Sequence, residues 1–120
     1  MKVVVTAQGR DLDSLVDPRF GRARCFLLFD TDTGQSTAHD NVQNLNAPQG
    51  AGIQAAQTVV QLGAEAVLTG NVGPKAFATL QAGQVAIHPG AMGTVRQALE
   101  EWRSGHIPPA AKANVEGHWV

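Results

Sequence analysis

The chain is short of two residue types that enzyme chemistry often uses, cysteine and tyrosine. Its 120 residues hold a single cysteine, Cys25, and no tyrosine. One thiol leaves no partner for an internal disulfide and excludes a multi-cysteine metal site within one chain. The serines are Ser14, Ser36 and Ser104, and none stands in a G-x-S-x-G setting. His39, His88, His106 and His118 show neither H-E-x-x-H nor any short ligand spacing, so a preformed zinc site has no support. Nine Lys and Arg stand against ten Asp and Glu, for a formal net charge of -1. No global field marks a nucleic-acid partner, and any anion site must be local. No apolar run approaches the ~18 residues of a membrane span, and "KVVV" is too short for a signal peptide. The expected setting is cytoplasmic, with no membrane and no nucleic acid among the partners.

What is present is β-branched strand material, then glycine loops. "KVVVT" reads as a buried strand, and "ARCFLLFDTD" as a second with Phe26 and Leu28 on one face and Cys25, Leu27 and Phe29 on the other. "DTDTGQ" should turn the chain into an edge strand near "QSTAHD". A polar loop, "NVQNLNAPQGAG", precedes a helix over about residues 52–62. That helix is predicted to carry Ile53, Ala56, Val59 and Val60 on one face and Gln54, Gln57 and Gln61 on another, and to stop at Gly63. Then strand "EAVLTG", a helix from Pro74 to about Gln81, strand "QVAIH" and a helix from about Thr94 to Arg103 alternate closely. Short strand-helix-strand connections imply parallel neighbours. The fold class is therefore α/β, a mixed five-stranded sheet with helices on both faces. Arg96 with Glu100, and Glu100 with Arg103, are expected surface pairs. The domain is placed at residues 1–105, and residues 106–120 read as a loosely held tail whose Trp119 could dock on the body.

Chemistry is expected where parallel strands end. "APQGAG", "GNVGPK" and "HPGAMGT" each bring free N–H groups to a helix start, and together they predict an anion cradle. Lys75 adds a cation in a helix's first turn, where the macrodipole normally favours an acid. Glycine at such turns is also common merely because the turns are tight. Nucleotide versions of the cradle fail: G-x-x-x-x-G-K-[ST] is absent, and the first strand leads into "TAQGRDLDSLVDPRFG" rather than G-x-G-x-x-G. His88 would face the cradle from the end of the last strand, or serve as a hydrogen-bonded strand end. Met92 would offer a thioether or apolar cover. Cys25 reads as a small buried hydrophobe, with Arg22 and Arg24 beside it. "DPRFGRAR" concentrates positive charge, either as solvated arginines around a Phe20 plug or as a second bank of donors for the same anion.

The succession "DPRFGRA", a strand ending in Asp30, "GAGIQAAQ", "AVLTGNVGPKAFATLQ" and "GAMGTVRQALE" closely resembles the dinitrogenase iron-molybdenum cofactor biosynthesis family, over roughly residues 1–105. The resemblance implies a three-layer α/β/α domain of ribonuclease H-like arrangement. It implies binding, storage or transfer of a preassembled metal-sulfide cluster rather than catalysis. For a stand-alone chain of this size it points to a molybdenum-copper sulfide cluster held without covalent attachment, with an iron-molybdenum or iron-sulfur precursor as the alternative. Partners would be proteins that donate or receive the cluster, and the chain would act as a monomer or weak dimer. On this resemblance the cluster-binding residues are Gly50, Ala51, Gly52, Ile53, Asn71, Gly73, Lys75, Gly90, Met92 and Gly93, with Arg22 and Arg24. His88 and Cys25 are weak metal-ligand candidates. Rival readings are a small enzyme acting on a phosphorylated metabolite in the same cradle, and an interaction module using the glutamine face and the arginine-rich segment.

Overall fold

A computed structural model describes residues 1–41 and 50–114. Strands β1 (Lys2–Ala7), β2 (Cys25–Asp30), β3 (Ser36–Asp40), β4 (Ala66–Leu68) and β5 (Ala86–His88) form one five-stranded sheet in the order β3-β2-β1-β4-β5. β1 lies at its centre, antiparallel to β2 through Val4 opposite Leu28 and parallel to β4 through Val4 opposite Val67. β3 runs antiparallel to β2, and β5 parallel to β4. The helices are α1 (Ala51–Gln61), α2 (Pro74–Ala82) and α3 (Val95–Arg103).

Strict alternation along the central strands divides the core in two. Val4, Phe26, Val67 and Ile87 face α1 and α2, whereas Val3, Val5, Cys25, Leu27 and Phe29 face α3. The result is the expected three-layer α/β/α arrangement. α1 stops at Gly63, whose φ of 80° supplies the left-handed turn that a side chain would oppose. Its buried stripe differs from expectation: Ala51, Gly52, Ala55, Ala56 and Val59 turn inward, while Ile53 and Val60 are only half-buried. The buried stripe is made mostly of small side chains, and the larger Ile53 and Val60 are left at its margins.

α3 is closed by a reciprocal cap. Gln97 N–H donates to Thr94 Oγ1 at 3.1 Å, and Thr94 N–H donates to Gln97 Oε1 at 2.8 Å. The expected pairs along α3 are replaced by contacts from outside the helix: Arg96 meets Asp13 at 3.2 Å, and Arg103 lies 5.2 Å from the centre of the Phe29 ring. The stretch from residue 106 also differs from a loose tail as far as it is described. Ile107 is buried on the α3 side, Ala110 N–H donates to Ile87 O at 2.8 Å, and Ala110 and Ala113 pack on the α1/α2 side. The segment thus wraps around β5, whose outer backbone groups would otherwise lack partners. Trp119 and Pro48 lie outside the described residues.

Thr94→Ala removes one half of the reciprocal cap and is expected to cost about 0.5–2 kcal/mol. A lower urea midpoint with an unchanged denaturant slope would register it.

Candidate functional site

β1, β4 and β5 bring their C-terminal ends, and β2 its N-terminal end, to one edge of the sheet. Residues 8–24 are laid across that edge. Asp17 N–H donates to Thr6 O, and Val16 N–H to Gly93 O, each at 2.8 Å. The next turn is held from β4: Asn71 N–H donates to Pro18 O at 2.7 Å, and Phe20 N–H donates to Asn71 O at 3.1 Å. Beneath them Thr6 Oγ1 lies 2.8 Å from both Asp17 O and Thr69 Oγ1, fully buried. A carbonyl can only accept, so the one Thr6 proton goes to Asp17 O and Thr69 donates to Thr6. Phe20 enters the core completely, with its ring centre 6.1 Å from that of Phe26.

Two glycines permit this lacing by close approach. A Cβ on Gly70 would lie 2.7 Å from Pro18 O, and one on Gly21 would lie 2.8 Å from Gly52 Cα. The turn Asp17–Gly21 therefore sits between the first turn of α1 and the loop before α2. The expected cradle is not one open bowl. Its centre is filled by chain.

What the turn carries is positive. Asp17 is buried, and its carboxylate accepts Arg19 N–H at 3.2 Å and Arg24 N–H at 3.3 Å. That curl sets Arg19, Arg22 and Arg24 around an open cleft of about 490 Å³, completed by Gln8, Asp17 and Pro18. The volume falls within the range of small-ligand clefts, roughly 300–1,000 Å³. Among the described residues the guanidinium groups of Arg19 and Arg24 and the Lys75 ammonium have no carboxylate partner. Nearby acids are engaged elsewhere, Asp13 by Arg96 and Asp40 by Arg10.

The three glycine loops separate into two kinds. At α3 every first-turn donor is consumed: Val95 N–H goes to Ser14 O, Arg96 N–H to Leu12 O and Gln97 N–H to Thr94 Oγ1. Gly90 and Ala91 donate back to Gly70 O and Thr69 O. At α1 and α2, by contrast, Gly50 and Gly73 offer no side-chain cap. The N–H groups of Ala51, Gly52 and Ile53, and of Lys75 and Ala76, have no partner among the described residues. Such ends favour anions.

Of the candidates named from sequence, Arg22 and Arg24 line the cleft, and Asn71 is bridged to Arg19 beside it. Gly50, Ala51, Gly52 and Ile53 open α1, with Gly52 against Gly21; Gly73 and the exposed Lys75 open α2 outside the cleft walls. Gly90, Met92 and Gly93 sit in the loop whose helix is closed, and Met92 is 77% exposed. His88 does not face the cleft. Its Nδ1 is 2.7 Å from Ile107 O, and its ring stands edge-on to Trp102 at 6.1 Å. Among the described residues no three His, Cys, Asp or Glu side chains gather to hold a metal ion. Sequence reasoning passed over Asp17 and Gln8, and carried Arg19 only within the "DPRFGRAR" bank of donors, not among the named cluster-binding residues. α1's glutamines lie elsewhere: Gln57 and Gln61 border a groove with Thr79 and Gly83.

The family model described as dinitrogenase iron-molybdenum cofactor matches residues 1–105. The structure superposes on the apo form of the orange protein from Desulfovibrio gigas with a TM-score of 0.93 and 45% sequence identity, covering 95% of this chain and 96% of that one. A putative NifB protein from Thermotoga gives 0.83 and 32%, covering 97% and 98%. An uncharacterised protein of Methanocaldococcus jannaschii is 26% identical over 68 residues, 55% of this chain; the match spans 58% of that relative's length.

Cys25 is 2% exposed, and burial pushes its thiol above the usual range. The upward shift favours the neutral thiol. Ellman's reagent is expected to label it only as the chain unfolds in guanidinium; full labelling of native protein within minutes would contradict this placement.

Proposed function

Because the chain belongs to the dinitrogenase iron-molybdenum cofactor family, we propose that it binds a preformed metal-sulfide cluster as cargo and hands it on. The observation that carries the reading is the gathering at one sheet edge of positive groups and helix starts that have no partner or side-chain cap among the described residues. Arg19 and Arg24 rise from the turn, and Lys75 stands in the first turn of α2. The free N–H groups of α1 and α2 flank them. All are donors, and none is a metal ligand of the soft kind.

That donor set fits a thiomolybdate-type cluster, a large, diffuse anion with sulfides on its outside. Sulfide edges accept N–H and guanidinium hydrogen bonds, and the half-exposed Ile53 supplies apolar contact. The cargo we assign is a molybdenum-copper sulfide cluster, with an iron-molybdenum or iron-sulfur precursor as the alternative cargo of the same chemistry. Retention would rest on charge and N–H donors, because the one thiol is buried on the α3 side of the sheet. The arrangement assigns no catalytic step, and it calls for proteins that deliver and collect the cluster.

The test is visible absorption with metal analysis after tetrathiomolybdate and copper are added to purified protein and the mixture is desalted. Stoichiometric colour with molybdenum and copper is expected to stay with the chain. Arg19→Glu and Lys75→Glu should each weaken retention on the order of tenfold, since charge reversal acts close to a partly desolvated anion. Arg103→Glu is the control, because Arg103 rests on Phe29 near the opposite end of β2. Equal losses for all three, or colour that never survives desalting, would overturn the proposal. Retention should also fall with salt, as the screening length shrinks from about 30 Å at 0.01 M to about 3 Å at 1 M.

A further inference from the structure

Asn114 reaches from the wrapped C-terminal segment into the loop between β4 and α2. Its Oδ1 accepts Val72 N–H at 2.8 Å, its Nδ2 lies 3.3 Å from both Gly70 O and Asn71 Oδ1, and its own N–H donates to Val72 O at 3.3 Å. The polarity of this cluster is not arbitrary. A backbone N–H can only donate and a carbonyl can only accept, so Val72 and Gly70 together fix which end of the Asn114 amide is oxygen and which is nitrogen.

The assignment propagates one residue further. Asn114 Nδ2 is a donor, so the Asn71 atom facing it must be the acceptor, Oδ1. The NH2 group of Asn71 is thereby turned away from Asn114, and among the described residues it has no partner. The Asn71 backbone is already committed, its N–H to Pro18 O and its carbonyl to Phe20 N–H. The amide flip is the remaining freedom, and Asn114 removes it.

We propose that Asn71 is a ligand-contacting donor for an acceptor-only anion, and that Asn114 is the positioning residue that sets its orientation. The inference deepens the carrier reading and rests on it: the group recognised is an outer sulfide or oxo atom of the cargo, beside Arg19, to which Asn71 is bridged. Residue 114 lies beyond the family match of 1–105, so this contact belongs to the part of the chain that the family pattern leaves out.

The test is a double-mutant cycle read by retention of tetrathiomolybdate and copper, with the urea midpoint followed for each variant. Asn71→Asp keeps an acceptor toward Asn114 but replaces the donor with an anionic oxygen, and is expected to lose tenfold or more in retention. Asn71→Ala, which removes the donor without adding charge, should lose several-fold. Asn114→Ala frees the flip and should also lose several-fold, with faster hydrogen exchange at the Val72 amide in the ligand-free protein. In the Asn71→Ala background, Asn114→Ala should cause no further loss, because its effect passes through Asn71. Undiminished retention by Asn71→Ala overturns the donor role, and equal losses from Asn114→Ala in both backgrounds overturn the positioning role. If the wild-type chain retains no tetrathiomolybdate, the carrier reading itself fails and takes the donor role with it. Wild-type retention therefore separates the two failures.

Discussion

The turn Asp17–Gly21, held to the ends of β1 and β4, is the constraint on which the rest of the edge depends. Two parallel strands would normally leave a crevice between their carboxyl ends and the helices that follow. Here the crevice receives a segment of the same chain, held by paired backbone bonds between Asn71 and residues 18–20 and anchored by the fully buried Phe20. Large buried aromatic area makes such an anchor hard to withdraw. Once the turn is seated, the directions of Arg19, Arg22 and Arg24 follow, because Asp17 closes the loop through the N–H groups of Arg19 and Arg24. Glycine at 21 and 70 is a condition for seating it, since side chains there would meet backbone below 3 Å.

The same turn explains how a chain of net charge -1 gathers positive character at one place. Charge is separated by topology rather than by excess. Asp17 lies at the base of the cleft, but backbone N–H groups occupy its oxygens. Asp13, Asp32 and Asp40 are paired to Arg96, the N-terminal ammonium and Arg10. Exposed pairs of this kind add little stability. At this edge Asp13 and Asp40 are held by Arg96 and Arg10, away from Arg19, Arg24 and Lys75.

Most of the architecture was legible because it is written in short-range pattern. The alternation Cys25-Phe26-Leu27-Leu28-Phe29 assigned two sheet faces, Pro74 opened α2 and Gly63 closed α1, as the structure has them. The site was legible less evenly. Glycine loops at helix starts look alike in sequence, yet α3 is sealed by Leu12 and Ser14, residues some eighty positions away in the chain. Nothing in "HPGAMGT" announces that. His88 is the hydrogen-bonded strand end that one of its two readings gave, but its partners, Ile107 of the C-terminal segment and Trp102 of α3, could not be named from local pattern. Ile53 was read on one apolar face with Ala56, Val59 and Val60, whereas the buried stripe runs through Ala51, Gly52, Ala55, Ala56 and Val59. In each case the deciding contact is long-range, and local propensity has no access to it.

The contrast between sealed and open helix starts gives the edge its direction. α3 spends its first-turn donors on residues 12–14, which ties the opposite layer of the molecule to the laced segment and leaves that layer structural. Among the described residues α1 and α2 keep theirs, on the layer that faces the turn's other side. A ligand held by such donors and by side-chain cations is bound through many contacts, each individually weak and each available to water. On the carrier reading this is a physical advantage over thiolate ligation. A cluster coordinated by cysteine must break metal-sulfur bonds to leave, whereas one held through its outer sulfides can be released intact as its hydrogen bonds are replaced in turn. A scarcity of cysteine is then consistent with cargo that has to move.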